Sequence, residues 1–164
     1  MNNLKQTALI AALGFLSANA LAEDKAATVS MEQISSKSAF ILAQETVNQC
    51  EAKGYKVSAT VVDPSGNVIA QLRSDGAGVH TLDSSRRKAF TSASMRQPTG
   101  NLMKLIAEKP IMQPLQNMNE NLLFLEGALP IEINGKVVGA IGVGGAPGGH
   151  FDAACAEHAI KKVL

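Results

Sequence analysis

Asn134-Gly135 stands between two apolar runs, ALPIEI (128–133) and KVVGAIGVGG (136–145). No other feature narrows the fold of this chain as much. A two-residue hairpin turn needs positive φ at both central positions, which Asn and Gly adopt at least cost. The two runs are therefore read as antiparallel strands. A second hairpin signal lies upstream: KVSATVV (56–62) is β-branched and apolar, Asp63-Pro64-Ser65-Gly66-Asn67 is turn chemistry, and NVIAQLR (67–73) completes the pair. Strands joined so tightly cannot be parallel, because a parallel pair needs a long crossover.

Helical spacing surrounds the hairpins. Ser30-Met31-Glu32-Gln33 reads as a capping box opening a helix over 31–53, with Ala39, Phe40, Ala43, Val47 and Cys50 on one face and Gly54 as its stop. Thr81 or Asp83 caps a second helix over 83–96, with Leu82, Ala89, Phe90 and Ala93 inward. Pro98 ends it, and Thr99 caps a short third helix to Ala107. Residues 108–121, with Pro110 and Pro114, read as a loop of a length often tied to function. LLFLEG (122–127) reads as one more strand, and a last helix spans 152–163. The order α-β-β-α-α-β-β-β-α predicts an α+β domain, an antiparallel sheet of about five strands flanked by helices. If the first and last helices lie side by side, Cys50 comes near Cys155.

Lys5, the apolar run TALIAALGFLSA and Ala20-Leu21-Ala22 have the form of a secretory leader cleaved after Ala22. The run is short of the roughly 20 residues that span a membrane. A single domain over 23–164, periplasmic or secreted and without a transmembrane anchor once mature, is the expectation. Lys and Arg number 15 against 14 Asp and Glu, with one Tyr and no Trp, so no basic aromatic face offers itself to nucleic acid. Cys50 and Cys155 are too far apart for a C-x-x-C motif. An oxidising compartment favours a bridge between them; the other reading is two buried thiols acting as small apolar groups.

The chemistry concentrates in VGGAPGGHFDAAC (143–155), a strand end, a glycine turn and a helix start. It imitates half of a dinucleotide fingerprint, but Pro147 stands where the third glycine should, and too few residues follow for a second βα unit. No G-x-x-x-x-G-K-[ST] loop exists. What remains is a backbone open to close approach and a helix N-terminus whose amides suit an anion such as a carboxylate, or a sharp turn without a ligand. His80 precedes the second helix and His150 opens the last, both placed like ligands, whereas His158 falls opposite the apolar stripe of its helix. No local zinc spacing joins them. Arg86 lies on the apolar side of its helix and needs a partner: an acid of the chain, one of another subunit, or a bound carboxylate held by the guanidinium fork. Methionines at helical spacing read as core filler, with Met112 and Met118 in the polar loop as exceptions. Without a G-x-S-x-G elbow or supported carboxylate pair, the chain shows no catalytic constellation and reads as a binder rather than an enzyme.

Three blocks together, VSATVVDPSGNVIAQLRSDGA (57–77), SRRKAFTSAS (85–94) and ALPIEINGKVVGAIGVGGAPGGHFDAACAEHA (128–159), resemble the GlcG/HbpS family, also described as haem-degrading. The last block is the specific one, with the pattern G-x-x-V-G-A-I-G-V-x-G-A-P-x-G-x-x-D-x-x-C. The resemblance implies a profilin-like α/β/α domain, a symmetric homo-oligomer and, for exported members, haem as the ligand. It implies His80, with Thr81 second, as the iron-side donor. Arg86, Arg87 and Lys88 would hold propionates, and the amides around Gly148, Gly149 and His150 would form an anion-binding rim. Haem breakdown, if it accompanies binding, would be the cofactor's chemistry. Related domains also occur beside glycolate-utilisation enzymes or fused to cobalamin adenosyltransferases, so the fold leaves two other readings open: a binder of small organic carboxylates, or a structural, partner-binding oligomer without cofactor.

Overall fold

The structure is a computed structural model that describes residues 27–164, so the expected leader, residues 1–22, lies outside the described residues. Both hairpins form. Strand β1 (Ser58–Val62) pairs antiparallel with β2 (Val68–Arg73), and β3 (Ala128–Ile133) pairs antiparallel with β4 (Lys136–Gly144). Asn134 and Gly135 turn the second hairpin at φ 51° and 74°, the positive values that their residue types allow. In the first, Asp63 organises the turn, accepting from the amides of Ser65 at 2.8 Å and Asn67 at 2.9 Å. β1 and β4 also pair antiparallel, which joins the hairpins into one sheet of order β2-β1-β4-β3.

The sheet has four strands where the sequence suggests about five. Residues 122–127 make no ladder, although Leu122 and Phe124 are buried alternately as in a strand. Side chains satisfy part of their backbone instead: Thr91 Oγ1 accepts from the amide of Leu123 at 2.8 Å, and Arg87 donates to the carbonyl of Leu122 at 2.7 Å, while the Gly127 carbonyl accepts a single bond from the amide of Val143. Period-two burial reports an extended chain, and not what pairs with it.

Helices cover both faces. On one lie α1 (Ser36–Glu51) and α4 (Gly149–Val163), packed against each other and against Val57, Ala59, Val61, Ile131, Ile141 and Val143. On the other lies α2 (His80–Met95), followed by α3 (Thr99–Glu108) and a 3-10 helix over Pro110–Asn117 within the segment expected to be a loop. The alternation along β1 is the reason for this sandwich. Ala59 and Val61 face α1 and α4, while Thr60 bonds Ser85 at 2.7 Å and Ser58 bonds Thr81 at 2.8 Å, both across to α2.

α1 starts later than its sequence suggests. Ser35, not Ser30, caps it by accepting from the amide of Ser38 at 3.1 Å. Ile34, just before the cap, donates its amide to the carbonyl of Val138 on β4, and that docking holds the segment extended. The buried stripe is Ala39, Leu42, Ala43, Thr46, Val47 and Cys50; Phe40 is one step off it and exposed. Cys50 and Cys155, both fully buried, are joined by a disulfide between α1 and α4 with a Cα–Cα distance of 5.5 Å.

Candidate functional site

The turn between β4 and α4 faces the first half of α2 across a cleft of about 380 Å³. His80, Ser84 and Lys88 line it from α2, at i, i+4 and i+8 on one helical face. Gly144 to Gly149 and Asp152 line it from the turn and from α4, and Met103, Leu125 and Glu126 close the third side. The glycines make the approach possible. A Cβ on Gly144 would sit 2.5 Å from Ser84 Oγ, and one on Gly149 would sit 2.4 Å from the carbonyl of Glu126.

Lys88 and Asp152 form the floor. Both are almost fully buried, and Lys88 Nζ donates to Asp152 Oδ2 at 3.0 Å and to the carbonyl of Val143 at 2.9 Å. Asp152 Oδ1 accepts from the amide of Ala146 at 3.0 Å. One ion pair thereby ties α2, the end of β4, the glycine turn and α4 together. Burial pushes the Asp152 carboxyl above the ordinary aspartate range, against the opposing pull of Lys88 and of the Ala146 amide.

Of the residues singled out from sequence, the structure brings His80, Lys88, Gly148 and Gly149 into one cleft. His80 is exposed as the first residue of α2, and no side-chain hydrogen bond or ion pair engages its imidazole among the described residues. Thr81 is buried beneath it, its hydroxyl donating to the carbonyl of Gly78 at 2.6 Å and meeting Ser58, which takes it out of reach of a ligand. Arg86 finds the partner it needs within the chain: Asp83 at 2.9 Å and Asn121 at 2.8 Å. Arg87 is committed to Leu122 and lies 3.8 Å from Asp83. Neither arginine lines the cleft. His150 lies outside it as well, its ring tilted at 43° against that of Phe151 with centroids 3.9 Å apart.

Ser84, Met103, Leu125, Glu126 and Asp152 escaped the sequence reading. For Asp152 a signal existed. It occupies the inward stripe of α4 with Cys155, Ala156 and Ala159, while Lys88 occupies that of α2 with Thr81, Ser85 and Ser92. Opposite charges on the inward faces of two helices ask for each other.

The class these layers define is a three-layer profilin-like α+β domain with a glycine-walled cleft beside its last helix. The model of the family described as "Haem degrading protein HbpS-like" matches residues 34–161, and the chain belongs to that family. Among solved structures it is similar to a double mutant of Streptomyces reticuli HbpS, with a TM-score of 0.78 and 33% identity, covering 98% of this chain and 99% of that one. A 15.0 kDa protein from the dhaT-dhaS intergenic region of Citrobacter freundii is 33% identical over 63% of this chain and 76% of its own. The fold is shared with PduOC in its haem complex, at a TM-score of 0.69 and 20% identity over 79% of this chain and 94% of that one.

Proposed function

We propose that this protein is an exported haem binder in which His80 supplies the iron-side donor. The observation that carries the reading is the cleft itself: an exposed, unengaged imidazole lines it together with apolar Met103 and Leu125 in a chain of a haem-related family. Neutral imidazole is a common axial ligand of haem iron, and an apolar wall suits the macrocycle edge. PduOC, which shares the fold, is solved in complex with haem, and this supports haem as the ligand without bearing on its donor. A volume of about 380 Å³ sits low in the range of about 300–1,000 Å³ for ligand pockets. The cleft would therefore take one edge of a tetrapyrrole and leave the rest at its rim. Bound haem supplies redox and oxygen chemistry; the chain's part is to hold and orient it.

Haemin titration of the purified protein tests this. The expected result is a saturable Soret shift that His80→Ala abolishes while the unfolding transition stays cooperative. Non-saturating absorbance, or a shift indifferent to His80→Ala, would sink the assignment.

Export rests on the leader-like segment 1–22 and on a disulfide suited to an oxidising compartment. Intact mass of the protein from its native host checks it. Loss of residues 1–22 is expected, and a mass that retains them overturns export by a cleaved leader.

A further inference from the structure

Lys88 is a buried cation with a donor to spare. Its ammonium has three N–H bonds. Two go to Asp152 and to the carbonyl of Val143, and the third has no acceptor among the described residues. The side chain is nine-tenths or more buried, yet Lys88 lines the cleft. Space for the ammonium comes from Gly127, held at φ +131°, where a Cβ would stand 2.7 Å from Nζ.

Stability alone does not explain such a pair, because apolar side chains of similar volume in its place are often as stable or more so. Its geometry suits aiming. Asp152 accepts a hydrogen bond from one ammonium N–H and the Val143 carbonyl from another, which fixes the direction of the third. The other acid of the cleft does not compete for it, since Glu126 turns its carboxylate toward Gly100, where a Cβ would lie 2.9 Å from Glu126 Oε1. His80 and Ser84, the remaining polar side chains of the lining, are donors or acceptors and carry no fixed negative charge.

We propose that Lys88 is the carboxylate anchor of this cleft and that Asp152 is the positioning residue that aims it. The chemistry recognised is a carboxylate, whether the propionate of a haem or a free small organic acid. Only the first source rests on the haem reading.

The test compares haemin with haemin dimethyl ester, which keeps the iron and blocks both propionates. Wild type is expected to bind haemin at least tenfold more tightly than the ester. Lys88→Met combined with Asp152→Leu, an apolar pair in the same space, is expected to bind the two porphyrins alike. Asp152→Asn, which keeps the ammonium but replaces the charged acceptor that aims it with a neutral amide, is expected to narrow the gap several-fold. A wild-type ratio near one overturns the anchor whether or not the variants fold, and so does a gap that survives in a folded double variant. If neither porphyrin binds, the haem reading fails by itself and sodium propionate becomes the probe. Saturable thermal stabilisation by propionate, lost in Asp152→Asn, then supports the anchor with a free acid as ligand. No stabilisation of wild type overturns it.

Discussion

Single atoms decide how closely the layers of this protein approach, and Gly142 is the sharpest case. A Cβ there would lie 2.2 Å from the carbonyl oxygen of Ser85 and 2.5 Å from the amide nitrogen of Ala89. Both are backbone atoms of α2, so no side chain can swing aside. Gly142→Ala must lift α2 from β4, and overpacking of that kind costs about 1–3 kcal/mol, occasionally more. The expected outcome is a clear drop in the urea midpoint with an unchanged slope. A midpoint equal to wild type would mean that α2 rides higher on the sheet than described. Gly149 faces the Glu126 carbonyl in the same way, which makes a bulky substitution there a probe of folding before it is a probe of ligand binding.

At the level of elements, turn chemistry was the most legible part of the sequence. Asn134-Gly135 and Asp63–Asn67 each carry their geometry in a few neighbouring residues, so nothing distant can override it. Helix starts were less legible, because competing caps lie close together. Ser30 has the better local pattern, yet Ser35 caps α1 once Ile34 has docked on Val138. The segment 122–127 was misread for a related reason. Its alternation is real, but the groups that satisfy its backbone, Thr91 and Arg87, lie more than thirty residues away on a helix. The same contacts explain Arg86 and Arg87. A basic residue on the inner side of α2, Arg86, predicts a partner without saying whether that partner is a ligand or the chain itself; here Arg86 bonds Asn121 and its neighbour Arg87 bonds the carbonyl of Leu122.

The whole molecule assembles a site that no single stretch displays. His80 and the glycine turn were legible because each sits at a helix mouth, whereas Met103 and Glu126 reach the cleft only through the stacking of layers. That stacking fixes α4 at two separate points. Its first turn is tied through Asp152 to α2 and β4, and its second through Cys155 to α1. The bridge spans 105 residues of sequence, and closing so long a loop contributes up to about 4–5 kcal/mol in the chain-entropy model, often less in practice. Cys50→Ala with Cys155→Ala should therefore lower the urea midpoint strongly. On the haem-binding proposal, haemin affinity answers to a different fastening. If the ion pair alone places the first turn of α4, the same double variant should keep its affinity within about threefold of wild type, under about 0.7 kcal/mol, at temperatures where it remains folded. Parallel urea unfolding and haemin titration of the two proteins separate the effects. A loss of affinity that tracks the loss of stability would show instead that the bridge, far from the cleft, sets the position of its wall.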